Sequence, residues 1–248
     1  MARVIVVGSI NQDVTVTVDR FPAPGETLSG SSLTYGLGGK GANQAAAAAR
    51  SGIPTLFVGA VGTDLAGHSL RTHLAAHGVD VSHLRKVDSP SGTALITVAA
   101  SGENTIILDA GANRASSIAH AKASLFPAPS DIVVLQAEIP PAANAAAIEW
   151  AHSFGARVLL NLAPARPTDP ATLSRVDILV VNETEAGLTL GMPAPATPTE
   201  AIGVARALRG MGPRHVVVTL GAQGAAWASG AEARHSPAIT LGEAVDTT

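Results

Sequence analysis

Apolar and polar positions along the chain follow two rhythms. Residues 4–7 (VIVV) form an unbroken β-branched run closed by Gly8, the pattern of a strand buried on both faces. Residues 13–19 alternate around Val14, Val16 and Val18. That predicts a half-exposed strand, ended by Pro22, Pro24 and Gly25. The short, polar, glycine-flanked stretch 28–37 reads as further sheet outside the main core. A run of alanines then predicts a helix over 41–50, stopped by Ser51 and Gly52.

From there strands and helices take turns. The pattern predicts strands at 55–61, 132–135, 158–162, 178–181 and 216–220. It predicts helices at 65–77, 141–154, from 183 onward, and at 199–208. Residues 93–99 and 105–108 read as an antiparallel pair around the turn-like Ser101-Gly102-Glu103-Asn104. Strands separated by helices of this length predict an α/β fold with a mostly parallel central sheet covered on both faces. The early alternating strands break that pattern and predict a small β-sheet lid, with strands from about 13–37 and 93–109, inside one domain spanning 1–248.

Composition narrows the field. Hydrophobic residues make up 46% of the 248 and charged residues 14%, which excludes a disordered chain and allows a sizeable core. Sixteen Lys and Arg against 19 Asp and Glu leave a net charge of −3, and no basic tail points to nucleic acid as a partner. With so few lysines, Lys40 in a glycine loop stands out. The lack of cysteine excludes disulfides and thiolate metal sites and fits a cytoplasmic protein. The first apolar run is too short to span a membrane and reads as a strand rather than a signal peptide.

Two segments carry candidate chemistry near the N-terminus. Gly36-Leu37-Gly38-Gly39-Lys40-Gly41-Ala42-Asn43-Gln44 opens the alanine helix. It matches neither the P-loop nor the dinucleotide fingerprint, so a nicotinamide oxidoreductase is disfavoured. Its glycines would let a ligand approach the backbone, with free N–H groups at the helix start; a tight structural turn is the alternative. Gly8-Ser9-Ile10-Asn11-Gln12-Asp13 follows the first buried strand, where open α/β sheets place their ligands. Asn11 and Asp13 share one face of an extended chain. An amide beside a carboxylate suits a polyol, although an Asx turn explains the same residues.

Further along, Asn182 and Glu185 are three apart at a helix start. They can face one side and orient magnesium waters, or simply form a capping box. Thr219-Leu220-Gly221 ends a strand in a turn and reads equally as structure or as a nucleotide contact. His68, His73 and His77 are spaced wrongly for a shared metal face. Trp150 and Trp227 read as packing residues, with an adenine contact a lesser alternative for Trp227.

Five motifs in order resemble the ribokinase-like (PfkB) carbohydrate kinases. They are Gly8 to Asp13, Gly38 to Ala45, Asn161-Leu162-Ala163-Pro164-Ala165, Asn182-Glu183-Thr184-Glu185 and Thr219 to Gly224. The resemblance implies the family's α/β fold with its β lid, and ATP-dependent phosphorylation of D-ribose to D-ribose 5-phosphate. It places Asn11, Asp13, Gly38, Gly39, Lys40, Asn43 and Glu138 on the sugar. It places Asn182, Thr219, Gly221 and Gly224 on ATP, and Glu185 on Mg²⁺ through water. It implies K⁺ at Asp246 and Thr248, and a homodimer formed through the lid. The chain ends at Val245-Asp246-Thr247-Thr248, inside the family's Val-Asp-Thr-x-Gly-Ala-Gly-Asp stretch. The resemblance therefore puts the family's catalytic Asp and C-terminal helices beyond Thr248. Alternatives are a related sugar or nucleoside kinase, and a non-catalytic ribose-binding protein.

Overall fold

The computed structural model describes residues 2–239. Contacts within the chain define two compact units, Met1–Arg157 and Val158–Thr248.

The first unit contains β1 (Val4–Val7), β2 (Asn11–Val18), β3 (Ser32–Gly38), α1 (Lys40–Arg50), β4 (Thr55–Gly62) and α2 (Leu65–Ala76). It continues with β5 (Leu84–Val87), β6 (Gly92–Ala99), β7 (Asn104–Asp109), a 3-10 turn (Gly111–Ala115), β8 (Ile132–Gln136) and α3 (Pro141–Ser153). β1 lies between β4 and β8, and β5 extends the β4 edge; every pairing is parallel. The β-branched run makes this possible. Ile5, Val6 and Val7 are fully buried, with Phe57, Val58, Val133 and Leu135 beside them. Burying each such side chain stabilises by about 1.5–3 kcal/mol. α1 packs on β1 and β4, α2 on β4, and α3 on β8. α1 presents Ala42, Ala45 and Ala46 to the core, small residues that let helix and sheet approach closely.

β3, β2, β6 and β7 form a separate four-stranded sheet in that order. β2 pairs antiparallel with β3 and parallel with β6, and β6 pairs antiparallel with β7. The period-two pattern sorts its residues into two faces. Asn11 and Asp13 share one. Val14 and Val16 share the other, in register with Tyr35, Leu33 and Leu95.

The second unit contains β9 (Arg157–Asn161), α4 (Pro170–Leu173), β10 (Ile178–Asn182), α5 (Glu183–Leu190), α6 (Pro198–Gly210) and β11 (His215–Thr219). β12 (Ala225–Ser229) and β13 (Glu232–Ser236) follow. β9, β10 and β11 are parallel, and β12 and β13 continue antiparallel. The result is an α/β fold with mostly parallel main-sheet strands and a small separate sheet. No helix among the described residues is long and apolar enough to cross a membrane.

The expected elements are present with ends shifted by a residue or two, apart from residues 28–31, which precede β3 and are not strand. β5, β12 and β13 were not legible. β5 (LRKV) is short and half charged, and β13 (EARHS) is a polar edge, as edge strands often are. β12 (AAWAS) is alanine-rich, a composition that favours helix. A turn at Gly230, with φ 57°, folds β13 back on β12.

Candidate functional site

The predicted site residues form two clusters, one in each unit. The first gathers where β1 runs into β2, beside the start of α1. Asn11 is paired in register with Gly38, and Asp13 with Gly36. The Asp13 carboxylate lies directly over Gly38, where any β-carbon would collide with it. Gly39 caps α1 with φ 91°, a backbone that other residues rarely adopt.

Glu138 ties the loop down. Its Oε2 accepts from Ser9 Oγ at 2.6 Å and from the Lys40 backbone N–H at 2.9 Å. Ser9 Oγ accepts in turn from the Gly41 N–H at 3.2 Å, and the Ser9 carbonyl accepts from the Ala42 N–H at 2.9 Å. These contacts correct one expectation. The N–H groups at the start of α1 are not free for a ligand. Lys40, Gly41 and Ala42 already donate to Glu138 and Ser9, because a buried helix end must satisfy its donors. That leaves side chains, rather than these three N–H groups, to meet a ligand here.

Asp13 is half-buried, and no protein hydrogen bond to its carboxylate is found among the described residues. Burial first, and the nearby Glu138 charge second, raise its pKa above the ordinary value. Asn11 is 3% exposed. Its Oδ1 accepts from Asn113 Nδ2 at 2.7 Å. Asn43 lies exposed on the first turn of α1, its N–H donating to the Gly39 carbonyl at 2.9 Å. Lys40 is half-buried at the first helical position. The cluster thus combines an unpaired carboxylate, a lysine and two carboxamides, a set that recognises hydroxyls.

Two residues of this cluster escaped the sequence. Ser9 fixes both Glu138 and the helix start, yet its partner lies 129 residues away. Asn113 holds the backbone of Ile10 from 103 residues away. No local spacing marks either contact.

The second cluster sits at the ends of β10 and β11. Asn182 and Thr219 are neighbours in register. Asn182 Oδ1 accepts from the Glu185 N–H at 2.8 Å, and Glu185 Oε2 accepts from the Asn182 N–H at 2.9 Å. That is the capping box. It occupies one oxygen of Glu185 and leaves the other outside the cap. Thr219 is exposed, and its Oγ1 lies 3.4 Å from the Val181 carbonyl. Gly221 and Gly224, with φ 51° and 93°, shape the turn that follows. Trp227 is half-buried on β12, in register with Val217 and Arg234. Asp246 and Thr248, expected at a K⁺ site, lie outside the described residues.

The model of the pfkB family of carbohydrate kinases matches residues 1–248. The chain belongs to that family. It is 38% identical over 221 residues to the ribokinase of Haemophilus influenzae, covering 88% of this chain and 72% of that one. It is 35% identical over 258 residues to the deoxyribokinase of Salmonella typhi, covering 98% of this chain and 80% of the relative. The structure of Arabidopsis thaliana ribokinase complexed with ribose and ATP superposes with a TM-score of 0.90 at 33% identity, covering 100% of this chain and 82% of that one. The chain is thus a member of a carbohydrate kinase family, and its relatives include a ribokinase and a deoxyribokinase.

Proposed function

We propose that this protein phosphorylates D-ribose with ATP, giving D-ribose 5-phosphate and ADP. One observation carries the reading: the Asp13 carboxylate and the Asn11 carboxamide stand on one face of β2, above a glycine loop that Glu138 and Ser9 hold rigid. An ionised Asp13 accepts from a sugar hydroxyl and an amide donates to one, so the pair reads a polyol. Lys40 and Asn43 add donors from the loop, while Gly38 leaves room for the Asp13 carboxylate and Gly39 for the Ile10–Asn11 backbone. Phosphoryl transfer is largely positioning and charge stabilisation, and fixed contacts to the sugar hydroxyls supply the positioning.

The second cluster is assigned to ATP. Asn182, Thr219, Gly221 and Gly224 line strand ends and a tight turn; Glu183 and Glu185 in the first turn of α5 offset the helix dipole, so a phosphate beside them needs a metal ion. Mg²⁺ fits there: it keeps most of its waters and needs one hard carboxylate beside the phosphates. Glu185 would hold such a water with the oxygen outside its cap. The ion would neutralise the triphosphate. No described carboxylate is assigned as proton acceptor: Asp13 is assigned to a sugar hydroxyl, and Glu138 and Glu185 each accept from the backbone. The small sheet acts as the lid in this reading, excluding water when sugar is bound. Its other face, with Leu33, Tyr35, Leu95 and Ile107 all exposed, is assigned to a homodimer contact.

A second reading has its own support: similarity to a deoxyribokinase is nearly as high as to a ribokinase. Calorimetry with ribose and with 2-deoxyribose, beside ADP release with ATP and Mg²⁺, separates the cases. Tight ribose binding with ribose 5-phosphate as product supports the proposal. Preference for deoxyribose moves the assignment to that sugar. Ribose binding without ADP release leaves a binding protein, and no binding of either sugar overturns the reading.

A further inference from the structure

Asn113 opens a chain of hydrogen bonds whose direction can be worked out group by group. It lies in the 3-10 turn after β7 and is 1% exposed. Its Oδ1 accepts from the Ile10 N–H at 2.9 Å, and its Nδ2 donates to the Ile10 carbonyl at 3.1 Å. A backbone N–H can only donate and a backbone carbonyl can only accept. Ile10 therefore fixes which end of the Asn113 carboxamide is oxygen. The second Nδ2 proton then points at Asn11, whose Oδ1 lies 2.7 Å from Asn113 Nδ2. A donor arriving there demands an acceptor, so Asn11 must turn its oxygen toward Asn113 and its nitrogen away. Among the described residues, Asn11 Nδ2 donates to no protein group, and it is not among the side-chain atoms that are both sealed from solvent and unpartnered. Gly92 makes the contact possible: a β-carbon there would collide with both Asn113 Nδ2 and Asn11 Oδ1.

We propose that Asn113 is a positioning residue for sugar recognition, locking the Asn11 carboxamide so that its nitrogen faces the substrate. The inference deepens the sugar-site reading above and rests on it. Two same-face positions on β2 then have opposite and fixed characters: Asn11 offers only a donor and Asp13, when ionised, only an acceptor. The site accepts a sugar that places an oxygen acceptor at Asn11 and a hydroxyl donor at Asp13. Because Asn113 follows β7, one outer strand of the small sheet, the lock also ties the segment after β7 to the start of β2.

The test compares ribose affinity, by calorimetry, with thermal midpoint in Asn11→Asp, Asn11→Ala, Asn113→Ala and the double alanine variant. Asn11→Asp keeps an acceptor toward Asn113 and removes the outward donor, but it also adds a carboxylate at a site 3% exposed and near Asp13, so its midpoint is expected to fall. Above the pH at which that carboxylate ionises, ribose affinity is expected to drop about tenfold or more. Retained affinity there would overturn the orientation. If Asn113 acts through Asn11, the double alanine variant binds ribose no more weakly than Asn11→Ala alone. Fully additive losses would reduce Asn113 to a structural role and overturn the proposal. Side-chain amide exchange by NMR on the sugar-free wild type reads the orientation independently. Asn113 protons slow and Asn11 protons fast support the lock, whereas equally fast exchange contradicts it. Should the wild type bind no sugar, the ribose reading fails by calorimetry while exchange still decides the geometry.

Discussion

The two clusters are built in opposite ways. In the first unit, Glu138, Ser9, Lys40, Asn11 and Asn113 are joined by hydrogen bonds spanning 98 to 129 residues of sequence. In the second, Asn182 and Glu185 cap each other across three residues, and Thr219 joins them through strand register. The first cluster exists only once the fold has formed, and its donors are already directed. The second is a helix start that would take much the same shape in any strand–helix turn. A sugar offers several similar hydroxyls, so recognising it requires fixed donors and acceptors. A phosphate asks mainly for positive potential and backbone N–H groups; with Glu183 and Glu185 in the first turn of α5, the positive charge in this reading comes from Mg²⁺.

The largest effect that sharpens this contrast is expected from Glu138→Ala. It strands the Ser9 hydroxyl and the Lys40 N–H together, so unfolding free energy should fall by about 2–3 kcal/mol, measured by denaturant titration. Ribose affinity should fall in parallel. A loss confined to stability, with ribose binding intact, would separate the glycine loop from the sugar site.

Next comes pH. Asp13 has its pKa raised by burial and then by Glu138. Its carboxylate accepts a hydroxyl only when ionised. Ribose binding should therefore weaken on acidification at a pH above the ordinary aspartate range of about 4, and Asp13→Asn should bind weakly with a flat profile over that range. The stability sign is the reverse. For a group whose folded pKa is raised, the stabilising contribution is fully present below the unfolded value of 3.8 and is lost as pH rises through the folded value. At neutral pH Asp13→Asn should therefore melt higher than the wild type while binding less sugar. A lowered midpoint would show that the carboxylate serves structure rather than ligand.

Smaller effects are expected in the second unit. Asn182→Ala removes a helix cap and should cost about 1 kcal/mol, with ribose affinity unchanged. Glu185→Ala should raise the Mg²⁺ concentration needed for ATP binding, read by titrating nucleotide at several metal concentrations. An unchanged metal dependence would return Glu185 to capping alone.

Much of the fold could be read from the chain because its rhythms are local. β1 is an unbroken β-branched run, β2 alternates, and α1 is nearly all alanine between glycine and Ser51-Gly52. β12 and β13 could not be read, since they are strands by pairing rather than by composition. The site divides along the same line. Asn182 with Glu185 was legible because three residues make one helical turn. Asn11 and Asp13 were legible as a same-face pair. The closure of the α1 N–H groups by Glu138 and Ser9 was not, because nothing near Lys40 indicates that a carboxylate 98 residues later will reach it. The same holds for Asn113, whose effect on Asn11 depends on a missing side chain at Gly92.

The central claim is that the first unit alone reads the sugar, through Asp13 and its neighbours. Calorimetric titration of ribose into the wild type, Asp13→Ala and Asn182→Ala, under one set of conditions, tests it most directly. The account predicts saturable binding by the wild type and by Asn182→Ala with closely matching affinity, and a loss of about tenfold to a hundredfold in Asp13→Ala. Equal affinity in all three, or a loss in Asn182→Ala as large as in Asp13→Ala, would contradict it.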